Sequence, residues 1–160
     1  MAVDINRPDE DTMWRLLKEN PGNAVGAILR LSWLQGMTRE EICSLTWGDI
    51  YTEKKIIALK DREIPLNDDT QQCLHLRITA SSNMSPYVVA SEKYQDAMAP
   101  SSVSRLVRKT LDRAGMPHVR LTDLRHDYVI RQIEEHGWAY AIRVSGLSVD
   151  TFQRTYAGLK

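Results

Sequence analysis

Arg125 and His126 stand side by side in LTDLRHDYVI (121–130), a stretch otherwise patterned as a helix. The helical neighbours of Arg125 at i−4, i+3 and i+4 are Leu121, Tyr128 and Val129, all with apolar bodies, so its guanidinium emerges at the edge of a core. An arginine held there, partly out of water, suits a phosphate or carboxylate gripped by two parallel hydrogen bonds. A structural arginine paired with a nearby acid fits the same helix. Tyr156 lies four residues after Phe152 and seven after Val149, on one face of the last helical segment. Periodicity alone makes it a core tyrosine, although it stands close to the chain end, where domains often fray.

A third place, GMTREEICSLTW (36–47), has Thr38 and Glu41 spaced as a capping box at the start of a short helix. It also has the look of the first helix of a helix-turn-helix. A recognition helix should then follow, but WGDIYTEKKIIAL runs into a hairpin instead.

The elements around these places are mostly helical. DEDTMWRLLKEN (9–20) has acids in its first turn and Lys18 in its last, and Pro21-Gly22 ends it. AVGAILRLSWLQ (24–35) is nearly continuous in apolar residues and reads as a buried helix stopped by Gly36. KKIIAL (54–59) and REIPL (62–66) form a hairpin across Lys60-Asp61, a helix covers 68–78, and YVVAS (87–91) supplies a third strand. Ser101 or Ser102 caps a basic amphipathic helix over 103–115. A helix from 121 to Glu135 and two short ones over 138–146 and 148–158 complete the chain. The expectation is a mainly helical α+β domain with a small three-stranded antiparallel sheet, one domain over 1–160.

Composition narrows the function classes. The 21 basic and 21 acidic residues cancel, whereas proteins that live on nucleic acid usually carry a basic excess; only a segregated basic face is compatible with DNA. Cys43 and Cys73 are too few for a disulfide framework and wrongly spaced for zinc. No metal or other cofactor is expected. No apolar run approaches the roughly 18 residues of a membrane span. The start MAVDINRPDEDT is unlike a secretory signal, which points to the cytoplasm and to no membrane partner.

Taken in chain order, these segments resemble the catalytic domain of the tyrosine recombinases, the phage-integrase family. RPDEDTMWRLLKENP (7–21) is similar to its opening helix. LQGMTREEICSLTWGDI (34–50) resembles its Gly-Leu-Arg-x-x-Glu-Leu-x-x-Leu-x-Trp-x-Asp-Ile segment, with Gly36, Glu41, Leu45, Trp47, Asp49 and Ile50 in register. KDREIPL (60–66) looks like the hairpin ending in Ile-Pro-Leu. LTDLRHDY (121–128) resembles the His-x-Leu-Arg-His-Thr box, and SGLSVDTFQRTY (145–156) the Leu-Gly-His-Ser…Tyr box.

The resemblance implies a tyrosine that attacks a DNA phosphate to give a 3′-phosphotyrosyl link. Two arginines and two histidines meet the charge that develops on phosphorus, and a lysine protonates the leaving 5′-oxygen. Carried over position by position, Tyr156 is the nucleophile, Arg125 the second arginine and Lys60 the lysine. The first arginine position is Thr38, the first histidine position Thr122 and the second Leu147. Arg39 and His126 are the residues placed to substitute, though one step along a helix turns Arg39 by about 100°.

The chain so read begins at the opening helix with no DNA-clamping domain ahead of it, and only AGLK follows Tyr156. It reads as a degenerate recombinase domain of a phage or other mobile element, associated with site-specific recombination or integration. Its partners would be duplex DNA, met by Arg105, Arg108, Lys109, Arg113, Arg120, Arg125 and Arg131, and a full-length recombinase or a second copy of itself. Strand cleavage would be lost or strongly weakened. An active strand transferase through Tyr156 is one alternative, and a non-catalytic protein-interaction module, consistent with zero net charge, is another.

Overall fold

The helix that the sequence marks as almost continuously apolar sits at the centre of the molecule. In the computed structural model, which describes residues 5–80, 85–91 and 95–158, it runs Ala24–Trp33 (α2), and every residue from Gly26 to Trp33 is buried. It packs against α1 (Glu10–Glu19), α4 (Asp68–Ala80), α5 (Pro100–Arg113) and α6 (Leu121–His136). Surrounded in this way it leaves no face to water, hence its lack of apolar periodicity. Arg30 is tolerated inside it because its charge is answered. Nη2 donates to Leu17 O at 2.9 Å, which also accepts from Asn20 N, and Nη1 to Asn20 O at 2.8 Å, carbonyls at the C-terminal end of α1, where the helix runs out of donors. Nε pairs with Asp69.

The short helix α3 (Arg39–Ser44) forms the expected capping box. Thr38 Oγ1 accepts from Glu41 N at 3.2 Å, and Glu41 Oε1 accepts from Thr38 N at 2.9 Å. A single 3₁₀ turn at Trp47–Asp49 follows and leads into a strand, so the helix-turn-helix reading fails for want of a second helix. Strands β1 (Ile50–Tyr51), β2 (Ile56–Ala58) and β3 (Glu63–Pro65) form an antiparallel sheet in that order. Its register sets Ile50 opposite Ile57 and Ile57 opposite Ile64, and the last two are fully buried.

Two local expectations are corrected. The third strand is Ile50–Tyr51, not 87–91. The latter segment is drawn off the sheet by a bridge from Tyr87 to Thr46 and another from Ala90 to Ala97. Helix α5 starts on Pro100 with Ala99 as its cap, so Ser101 and Ser102 lie inside the first turn; proline fits there because that position has no helical acceptor for an N–H.

The remaining elements carry the site. α6 is followed by α7 (Trp138–Ser145), a left-handed Gly146 at φ +73°, and α8 (Val149–Tyr156), which Ser148 caps. Among the described residues no helix is long and apolar enough to cross a membrane.

Candidate active site

Arg125 projects from the first turns of α6 between two chain segments. Its Nη1 donates to Gly36 O at 2.5 Å and its Nη2 to Ser145 O at 2.8 Å. The partner is therefore a pair of carbonyls and not the acid that a structural arginine would take. Two of its five N–H groups are used in this way. Burial, and after it the neighbouring Arg62 guanidinium, pull its pKa below the ordinary arginine value. An arginine stays protonated regardless, so a concentrated positive charge sits here with donors to spare.

That charge opens onto a cleft of about 370 Å³ lined by Met37, Thr38, Arg39, Glu40, Ser104, Leu121, Thr122 and Arg125. Thr38 and Thr122 thus share one cleft with Arg125, although they come from segments 84 residues apart (122 minus 38). Arg39 reaches the same cleft despite its turn around the helix. Its Nη1 donates to Ser104 Oγ at 3.1 Å and its Nη2 to Glu40 Oε1 at 3.1 Å. Glu40 partly cancels it: a backbone N–H and the Arg39 guanidinium hold that carboxyl below its usual pKa, so it is charged.

Tyr156 is fully buried, not frayed. Its hydroxyl meets His126 Nδ1 at 2.6 Å, and its ring packs on Phe152. Burial pushes the phenol up to about 12, with Arg125 pulling the other way. Burial, and then Arg125, push the His126 imidazole below its ordinary value. The phenol therefore holds its proton near neutrality while the imidazole is neutral, so Tyr156 donates and Nδ1 accepts. His126 faces the tyrosine and is not in the cleft beside Thr122.

Because the folded pKa of His126 is depressed, the unfolded chain binds the proton more readily. Stability is thus complete above about 6.5, the unfolded value, and falls as pH drops through the lower folded pKa. Urea unfolding from pH 7 to 5 should show this loss in the parent chain, and the His126→Gln variant should lack that component. Equal slopes in the two would mean that His126 is not the group responsible.

The phage integrase family matches the chain over residues 11–141. The chain belongs to the phage integrase family. Its fold is that of three solved structures, each under a quarter identical. The XerA recombinase aligns with a TM-score of 0.82 and 21% identity, covering 92% of this chain and 57% of that one. The Tn1549 transposon integrase (residues 82–397), in complex with circular intermediate DNA, has a TM-score of 0.76 and 13% identity, over 95% and 61%. A lambda integrase dimer bound to a COC′ core site has a TM-score of 0.71 and 15% identity, over 94% and 47%. The chain thus spans about half to three-fifths of the length of these structures. No curated protein sequence matches it.

In this phage integrase domain the other expected residues are scattered. Lys60 is exposed and lines a separate pocket of about 360 Å³ with Glu41, Ser44 and Asp49; the hairpin does not bring it to the Arg125 cleft. Leu147 is half-buried just past Gly146. Arg108 is exposed one turn beyond Ser104, on the cleft side of α5, and Arg105 is exposed beside it. Arg120 is exposed at the start of α6 and pairs with Asp112 at 3.7 Å.

Two basic residues turn elsewhere. Lys109, with Arg113, lines a groove against α1 shared with Arg15 and Glu19. Arg131 lies over the Trp33 ring, bonds Trp33 O and pairs with Asp127 at 3.2 Å. The functional neighbours that the sequence did not reveal are Ser104, which steadies Arg39, and Arg62, which lies against Arg125.

Proposed function

We propose that this is a recombinase-fold domain that grips duplex DNA at the cleft between α3, α5 and α6, and that its own strand cleavage is strongly weakened. The observation that carries this reading is the cleft itself. Two arginines, Arg39 and Arg125, face it, but threonines occupy positions 38 and 122, where the resemblance leads one to expect an arginine and a histidine. Phosphate oxygens would take the spare N–H groups of Arg125 and those of Arg39 once it leaves Glu40. Related integrases have been solved on DNA, and the rim residues Arg105, Arg108 and Arg120 extend the same charge. A second copy or a full-length recombinase is the partner that would complete a recombination assembly.

The chemistry that remains is one half of a transfer. Tyr156 Oη, once exposed to the cleft, would attack phosphorus while its proton passes to His126 Nδ1, and the P–O5′ bond would break with the 5′-oxygen taking a proton from water. What is missing is charge and proton management on the phosphorus. Each absent transition-state donor lowers the rate by about 10²–10³, and the losses do not simply add. The contact of 2.6 Å between His126 and Tyr156 favours a second reading, in which residual cleavage survives.

The test uses nicked duplexes drawn from the DNA that flanks the coding sequence, with the parent chain and Tyr156→Phe. A salt-sensitive shift on a native gel and no covalent adduct on a denaturing gel are expected. Arg39→Gln and Arg108→Gln should each reduce the slope of log K against log salt by about 1. An adduct that vanishes in the phenylalanine variant establishes the second reading. No shift at low salt removes DNA as the partner and leaves a protein-interaction module.

A further inference from the structure

Arg62 follows exposed Lys60 and Asp61 at the tip of the hairpin, yet its side chain is only 6% exposed. Its Nε donates to Val144 O at 2.7 Å. Its Nη1 donates to Glu41 Oε2 at 2.7 Å and to Asp61 Oδ1 at 2.8 Å, and its Nη2 to Glu41 Oε1 at 3.1 Å. Four of its five N–H groups are therefore committed to acceptors within the protein, which leaves it no room to grip a phosphate as Arg125 can.

What those acceptors are decides its part. Val144 and Ser145 are the last two residues of α7, and the final carbonyls of a helix have no partner within it and carry the negative end of its dipole. Arg62 takes the first of them and Arg125 the second. Gly146 then turns into the left-handed region at φ +73°, and a Cβ on it would stand 2.5 Å from Arg62 Nη1 and 2.8 Å from its Cζ. The turn that delivers α8 rests directly on this guanidinium. Beyond the turn, α8 is anchored through Phe152 and Tyr156, both fully buried, and the turn sets the angle at which the helix brings them in. Glu41 ties the other end of the clamp to the cleft, since the oxygen that meets Arg62 also accepts from Thr38 N.

We propose that Arg62 is a positioning residue: clamped by Glu41, it seats the α7–α8 turn and so sets where the Tyr156 hydroxyl stands relative to His126 and Arg125. The consequence for DNA chemistry rests on the reading of Tyr156 given above; the clamp itself does not.

The test needs no DNA. Hydrogen exchange of residues 147–158 and the NMR titration of the His126 imidazole are followed in Arg62→Gln, in Gly146→Ala, which displaces the guanidinium and keeps its charge, and in Arg62→Lys. In Arg62→Gln and Gly146→Ala the α8 amides should exchange about 10- to 100-fold faster, the worth of one or two charge-assisted hydrogen bonds. Protection in α2 and α6 should hold, and the imidazole should titrate nearer its ordinary value as Tyr156 leaves it. Lysine should not rescue, because a point charge cannot reach Glu41 and Val144 together.

Unchanged α8 exchange and an unchanged imidazole in either variant that folds overturn the clamp. If Arg62→Gln does not fold, Arg62→Lys carries the same decision, since Gly146→Ala also strains the backbone at φ +73°. Duplex binding measured on the same variants separates the two proposals, since loss of the DNA reading leaves the exchange result standing.

Discussion

If the proposed reading holds, introducing Thr38→Arg, Thr122→His and Leu147→His in one chain is expected to raise covalent adduct formation on a nicked duplex from undetectable to readily measured. A gain of about 10²–10³ is expected for each restored donor, with the total below the product because the groups act together. The ground for this is geometric. Thr38 and Thr122 line the cleft that Arg125 lines, so side chains placed there meet a phosphate held by that arginine. Leu147 is half-buried one residue beyond Gly146. The stability cost is modest: Thr38 loses its cap on Glu41 N, worth about 0.5–2 kcal/mol, while Thr122 is exposed in the first turn of α6. Adduct from the triple variant that is absent when Tyr156→Phe is added would locate the defect in the three substitutions. A folded triple variant that binds the duplex and yields no adduct would mean that these positions do not converge on the scissile phosphate.

Much of the fold was legible because its signals are local. The capping box of Thr38 and Glu41, the Pro-Gly break after α1 and the Ile57/Ile64 strand pairing each depend on residues a few positions apart. Tertiary partners account for what was not legible. Arg62 reads as a hairpin-tip charge; it is buried because Glu41 and Val144, 21 and 82 residues away, converge on it. Arg131 reads as one more basic residue of a DNA face, and only the approach of Trp33 from α2 lays it over an indole ring. The strand expected at 87–91 has the right composition, but the loop ahead of the sheet and residue 97 claim its backbone instead. His126 stands one helical turn from Thr122 on the same side of α6, yet its imidazole is claimed by Tyr156, 30 residues on. The family itself was readable because the spacing of its motifs is a sequence property; the partners that hold Arg125 and Tyr156 in place were not.

Gly36 shows how closely that hidden support is bound to the site, and its replacement should be strongly damaging. It stands at φ +67°, between α2 and Thr38, and a Cβ there would lie 2.0 Å from Tyr128 Cδ1 and 2.4 Å from Cε1. Tyr128 is itself buried in α6 one turn after Arg125, so the ring cannot retreat without moving the helix that carries the arginine. A side chain in the left-handed region costs about 1–2 kcal/mol and overpacking a core about 1–3, so Gly36→Ala should lose about 2–5 kcal/mol, or about 5–20 °C in Tm for a domain of this size. The same displacement takes Gly36 O away from Arg125 Nη1 and should weaken duplex binding beyond what the stability loss explains. Adding Tyr128→Leu opens the space and should return part of the lost stability, leaving only the backbone strain. A double-mutant cycle in urea reads this directly: a coupling of 1 kcal/mol or more is expected for residues in contact, on the order of 0.5–3. Strict additivity would show that the glycine is required for its backbone alone and that the aromatic ring has no part in seating the arginine.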